Sequence, residues 1–402
     1  MSTQREIWLD FLRVTACFLV MVVHSTEPFY LGGDGTLVLT DTDAFWVSVM
    51  EGIARCCVPL FVIASSYLQF PIHYPTGEFF RRRAVRILIP LLVWTVVYAL
   101  VWGEPVENFK GLLLNFNYAA GHLWFVYMLI GLYLIMPLLS PWAEKVSRRE
   151  LEVYLGIWIV TLLFPFLREA AGGHAPMIYA ADGLPAPALF PLWGEASWNP
   201  FGLFYYVSGF AGYMLLGLYI RKFVPNNRFS GLFGWSFFLV GFVLTTFGFL
   251  QRMSESGYFP ITGGVDVAVG WEAAIAFCGL PVALSALGLT LVFRRIGDGR
   301  SEPAMTSIPE PSSCPAAAGH LYRYIVLPLS QAGYGMYLIH MLVLGYVSAW
   351  LRSVMGTGSA GVLGYWTTPV EIILTALISF AVVGFMAVLI QRIPKAGKNL
   401  MG

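Results

Sequence analysis

Ile7-Trp-Leu-Asp10-Phe-Leu-Arg13-Val-Thr-Ala-Cys17-Phe-Leu-Val-Met-Val-Val-His24 is an apolar run broken by Asp10, Arg13 and His24. Crossing roughly 30 Å of hydrocarbon takes about 20 such residues, and the run continues to residue 28. It is not a cleavable signal peptide: it is too long, has no A-x-A site, and carries Asp10 and Arg13 inside its pattern. The stretch predicts a membrane helix with ionisable groups inside it.

The rest of the 402 residues repeats the pattern. Apolar runs fall at 7–28, 44–69, 84–103, 122–142, 151–168, 201–220, 229–250, 268–293, 325–350 and 367–391. Ten spans in an all-α, polytopic membrane bundle are therefore expected. Composition agrees. Hydrophobic residues make up 57% and charged residues 12%, whereas soluble chains average about 45–50% and about 25%. A net charge of +1 provides no field for nucleic acid. The five cysteines (Cys17, Cys56, Cys57, Cys278 and Cys314) have neither disulfide nor zinc spacing, and read as small apolar residues.

With the N-terminus in the cytoplasm, alternation puts eighteen Lys and Arg inside and only Lys110, Arg168, Arg252 and Arg352 outside. That asymmetry satisfies the positive-inside rule and places the C-terminus in the cytoplasm too. The whole chain reads as one integral-membrane domain. Residues 297–320, rich in Pro, Ser, Ala and Gly, read as a flexible cytosolic link. Residues 169–200 read as an outer loop ordered against the helix tops. Gly356-Thr-Gly-Ser-Ala-Gly361 spells G-x-G-x-x-G but follows no strand, so it is no nucleotide fingerprint.

Ionisable residues inside a span are costly, which makes each one a candidate site. Asp10 and Arg13 are three apart and can pair on one face. Arg13 and His24 are eleven apart, within about 20° of the same direction and separated by about 16 Å. Glu51 and Arg55 stand at i, i+4, suited to an internal ion pair. Arg81, Arg82, Arg83 and Arg86 open the third span. They read either as a topology and lipid-binding signal or as a grip on phosphate. His122 and Trp124 begin the fourth span in Gly-His-Leu-Trp-Phe, at the end toward which His24 lies. His340 lies within Tyr334-Gly-Met-Tyr-Leu-Ile-His340 of the ninth. The membrane histidines sit on three separate spans without HxxH or HExxH spacing, so no metal is expected.

Arg13-x10-His24, Arg55-x-x-Val-Pro-Leu-Phe, the Gly121 to Phe125 run and the Tyr334 to His340 run together resemble acyltransferase family 3. These are bacterial inner-membrane enzymes; the chain is most similar to those that O-acetylate surface glycans and their lipid-linked precursors, enterobacterial common antigen among them. The chain departs from the family where Ser66 stands in Ser65-Ser66-Tyr67-Leu68 in place of a usual glycine, and in its longer link 297–320. The resemblance implies acetyl-CoA as acyl donor, with Arg13, Arg81, Arg82, Arg83 and Arg86 toward its phosphates. It implies His24, with Arg13 and Asp10, as the catalytic group. His24 would be either general base, favoured because it needs no second step, or a transient acyl-imidazole. The acceptor would be a glycan hydroxyl met by His122, Trp124, His340, Glu51 and Arg55. The competing reading is a proton-coupled exporter of a glycan or lipid, because membrane His, Arg and Asp also build proton relays. The absence of internal repeats speaks against it.

Overall fold

A computed structural model describes residues 5–31, 38, 40–103, 118–170, 193–194, 199, 201–255, 271–297, 316–394 and 396–402. The described elements are helical. They are α1 (Ile7–Tyr30), α2 (Asp41–Ala54), α3 (Cys57–Gln69), α4 (Thr76–Arg83), α5 (Ile89–Val101), α6 (Trp124–Lys145) and α7 (Arg148–Ala170). After them come α8 (Ala211–Phe223), α9 (Arg228–Glu255), α10 (Leu280–Ile296), α11 (Ala316–Leu321), α12 (Leu327–Met355), α13 (Thr367–Gln391) and α14 (Ala396–Met401). The outer loop 169–200 and the link 297–320 lie largely outside the described residues; the end of the link is the start of α11.

Seven helical stretches among the described residues are long and apolar enough to cross a membrane: 7–30, 41–69, 76–101, 120–145, 228–255, 319–355 and 364–391. The chain is thus a polytopic membrane helix bundle. Three expected spans are helices outside that set: the 23 residues of α7, the 13 of α8 and the 17 of α10. The last two start late because short 3₁₀ turns, Gly202–Val207 and Ala273–Ile275, precede them.

Side-chain contacts give the helix directions. Cys17 meets the Gly333 carbonyl and His24 meets His340, the same offset of 316, so α1 and α12 run parallel. Arg221 reaches the Tyr67 carbonyl and Gly217 faces Ile63, so α8 runs parallel to α3. In α9 and α10, Gly234 faces Gly288 and Gly241 faces Pro281, an antiparallel pair. A Cβ on Gly241 would lie 2.4 Å from the Pro281 carbonyl oxygen, and one on Gly288 2.4 Å from the Phe238 nitrogen. Small residues permit this approach where lipid offers no hydrophobic drive between helices.

Ser66 finds its explanation here. Its hydroxyl donates to the Met214 carbonyl at 2.5 Å, and Gly217 leaves room opposite it. The missing glycine of α3 is matched by one on α8. α1 is the central element, packed against α2, α3, α10, α12 and α13. Whatever its inner face carries is therefore enclosed by the bundle.

Candidate active site

The N-terminal end of α1 is pinned by Asp10. Its carboxylate accepts from Arg5 Nε at 2.7 Å, from the second Arg5 nitrogen at 2.9 Å, from Tyr322 at 2.9 Å and from Ser330 at 2.6 Å. The expected Asp10–Arg13 pair does not form. Arg5 precedes the helix, so its side chain folds back onto Asp10 without the constraint of helical spacing, and it takes both oxygens. Asp10 ties α1 to the segment that opens α12.

Arg13 is left half-buried, and among the described residues it has no hydrogen-bond or ion-pair partner. A guanidinium inside a bundle without a paired anion is expensive to keep, and its fork could take a ligand's negative charge. Of the four arginines expected near it, only Arg83 turns inward. It donates to Gln69, lies 5.0 Å from the Tyr133 ring, and keeps its Nε buried and unpaired. Tyr133 is within electrostatic reach of both Arg13 and Arg83. Arg81, Arg82 and Arg86 are exposed, and Arg82 is held by Glu78 and by the Tyr74 ring. Consecutive helical residues point about 100° apart, so Arg81, Arg82 and Arg83 cannot share one direction.

His24 lies three helical turns above Arg13 on the same face, and its Nδ1 is 2.7 Å from Glu27 Oε2. A carboxylate only accepts, so Nδ1 carries the hydrogen, and in the neutral ring Nε2 is the basic nitrogen. Glu27 was absent from the sequence expectation; its signal was the i, i+3 spacing to His24 at the helix end. Both side chains are partly open, 14% and 24%.

His340 of α12 lies with its ring 4.9 Å from that of His24, and His122 lies 5.1 Å from His340. The three membrane histidines, far apart in sequence, form one row. Among the described residues no group of histidines, cysteines and carboxylates is placed to hold a metal. The Nε2 atoms of His122 and His340 are buried and unpaired. Trp124, half-buried, faces Phe277 at 5.3 Å and Phe210 at 5.9 Å.

Glu51 and Arg55 pair as their spacing suggests, within a larger network. Arg55 donates to Glu51 at 3.5 Å, to Glu272 at 3.2 Å and to the Ile275 carbonyl at 3.1 Å, and it lies over the Phe277 ring. Thr26 and Tyr30 of α1 bond Glu51 as well. All three Arg55 nitrogens are occupied within the protein, and the network fixes the turn 272–277 against α1 and α2. In the first turn of α2 the Asp43 carboxylate accepts from the Ser359 amide and from Thr368. The glycine-rich turn 356–361 is thereby filled by a side chain and offers no phosphate cradle.

These features define a polytopic membrane protein with a carboxylate-backed imidazole and, on the same face of one helix, a guanidinium that has no partner among the described residues. Residues 6–388 match the family model for an acyltransferase domain, and the chain belongs to this family, acyltransferase family 3. It is a membrane acyltransferase. No curated protein and no solved structure matches it.

Proposed function

We propose that the protein is a bacterial inner-membrane O-acetyltransferase that moves an acetyl group from cytosolic acetyl-CoA to a sugar hydroxyl. The acceptor would be a surface glycan or its lipid-linked precursor. The observation that carries this reading is the pairing, on one face of α1, of the unpaired Arg13 with the His24–Glu27 dyad about 16 Å above it. The donor's phosphates suit Arg13 and the inward Arg83. Its extended pantetheine arm has a length comparable with the separation, which brings the thioester to His24.

In the transfer, His24 Nε2 takes the proton of the acceptor hydroxyl as its oxygen attacks the thioester carbonyl. The carbon–sulfur bond breaks, and the proton on His24 passes to the departing thiolate. Glu27 holds the imidazole in the required tautomer and stabilises its cationic form, the role of the carboxylate in a catalytic triad. Attack by Nε2 itself, forming a transient acyl-imidazole, would use the same tautomer. The direct route needs no second step and is the one we adopt.

The test is transfer from radiolabelled acetyl-CoA by the solubilised protein, combined with mass spectrometry of surface glycans with and without the gene. Labelled glycan and loss of acetyl esters are expected. Unchanged glycans and no consumption of acetyl-CoA would overturn both donor and acceptor.

A further inference from the structure

Tyr133 of α6 stands at the Arg13 end of the site. It is buried, 5% exposed. Arg13 of α1 and Arg83 of α4 are both within electrostatic reach of it, and Ser65 of α3 adjoins its hydroxyl. Arg83 lies between two rings, 5.0 Å from that of Tyr133 and 5.2 Å from that of Phe79, and its Nε is buried and unpaired. Four helices thus bring two guanidiniums and two hydroxyl groups to one place. The guanidiniums repel each other, and in a site shielded from water an anion beside both relieves that repulsion. A phosphate, with several acceptor oxygens, suits two guanidiniums and a phenol O–H together.

α6 also fixes how far that charge stands from His24. His122 and Tyr133 are eleven residues apart, the same spacing as Arg13 and His24. The rings of His122, His340 and His24 follow one another at 5.1 and 4.9 Å. α6 therefore runs antiparallel to α1, with Tyr133 at the level of Arg13 and His122 near that of His24. Along either chain the pocket and the histidine row are about 16 Å apart. That is the reach of a phosphopantetheine arm, and the first phosphate met from its thioester is the 4′-phosphate. The remaining cations of the cluster, Arg81, Arg82 and Arg86, are exposed, where salt and water screen them. The nucleotide beyond the 4′-phosphate meets no buried arginine of that cluster.

We propose that the Tyr133 hydroxyl donates a hydrogen bond to the 4′-phosphate of the acyl donor, held by Arg13 and Arg83, so that the bundle recognises the 4′-phosphopantetheine thioester as its donor unit. This inference rests on the acetyl-CoA reading and deepens it. The nucleotide contributes little, and acetyl groups on phosphopantetheine alone suffice.

The experiment compares acetyl-CoA, acetyl-4′-phosphopantetheine and acetyl-pantetheine as donors, in the wild type and in Tyr133→Phe. Phe keeps the ring that packs on Arg83, and each comparison is a ratio between donors within one protein, so a loss of folded protein cancels. In the wild type, removing the phosphate from phosphopantetheine is expected to lower kcat/KM roughly 100-fold, the loss of charge-assisted bonds. Removing the nucleotide from acetyl-CoA should cost less. Tyr133→Phe should shrink the phosphate factor about 10-fold and leave the nucleotide factor unchanged. A nucleotide factor larger than the phosphate factor would overturn the proposal, and so would a phosphate factor that Tyr133→Phe does not alter. A wild type that uses none of the three donors would refute the acetyl-CoA reading itself, a result distinct from either.

Discussion

At the scale of single residues, the proposed transfer turns on the orientation of one imidazole. His24→Ala removes the proposed base and should abolish transfer while membrane insertion and yield stay normal. Wild-type turnover by the purified variant would dismiss the assignment. Glu27→Gln is the sharper variant, because it keeps size and alters only what Nδ1 meets. An amide nitrogen facing Nδ1 favours the opposite tautomer, with hydrogen on Nε2. The expected result is a fall in kcat of about 10²- to 10⁴-fold with nearly unchanged KM for acetyl-CoA, by analogy with triads that lose their carboxylate. Equal loss in KM would mean that Glu27 binds ligand instead. The sequence made His24 and Arg13 legible because eleven helical residues return nearly to the same direction. It did not distinguish the pair that forms, His24 with Glu27, from the pair that does not, Asp10 with Arg13. Both have i, i+3 spacing, and the decision came from Arg5, outside the helix and free to take both oxygens of Asp10.

At the scale of elements, the basic opening of the third span divides into parts that the sequence could not separate. Arg83 faces Tyr133 and the bundle; Arg81 and Arg86 face outward. Replacing Arg13 by Gln should raise KM for acetyl-CoA roughly 10- to 100-fold, the loss of charge-assisted bonds to phosphate. Arg83→Gln should do so more weakly, since Gln69 already takes one of its donors. Arg81→Gln and Arg86→Gln should leave KM unchanged. Calorimetric titration of the four variants checks the division, and uniform effects would return the cluster to a general electrostatic role. Arg55 differs from these because its partners are internal. Arg55→Met strands the fully buried Glu51, and leaves the part-exposed Glu272 without its partner, at a cost of about 3–5 kcal/mol. Its signature is a lower melting temperature in detergent before any change in donor affinity. The i, i+4 spacing showed that Glu51 and Arg55 would pair. It carried no trace of Glu272, which arrives from more than 200 residues away.

At the scale of the whole molecule, parity decides the topology. Seven spans would put the termini on opposite sides of the membrane, and ten put them on the same side. The difference lies in α7, α8 and α10, the helices outside the set that meets the length and hydropathy requirement. Taken alone, the 13 residues of α8 cover only about 20 Å and the 17 of α10 about 26 Å. Their neighbours argue that they cross. α10 lies antiparallel along α9, which is 28 residues long, and α8 runs parallel to α3, the inward half of the second span. α7 is antiparallel to α8, since Trp158 meets Tyr213 and Glu152 meets Tyr219. These directions are the ones that alternation through ten spans requires, and they return the arginines to one side. The prediction is therefore ten crossings with both termini cytoplasmic, tested by cysteine labelling in cells. The native background is low, because Cys17, Cys56 and Cys57 are buried, and Cys278 and Cys314 can be replaced by Ser. Arg149→Cys, in the first turn of α7, and Asn227→Cys, between α8 and α9, should react with an impermeant maleimide only after permeabilisation. Val362→Cys, in the exposed turn between α12 and α13, should react in intact spheroplasts. Labelling of Asn227→Cys from outside, with Arg149→Cys still protected, would show that α7 and α8 do not both cross. The proposed donor path from Arg13 to His24 would keep its direction.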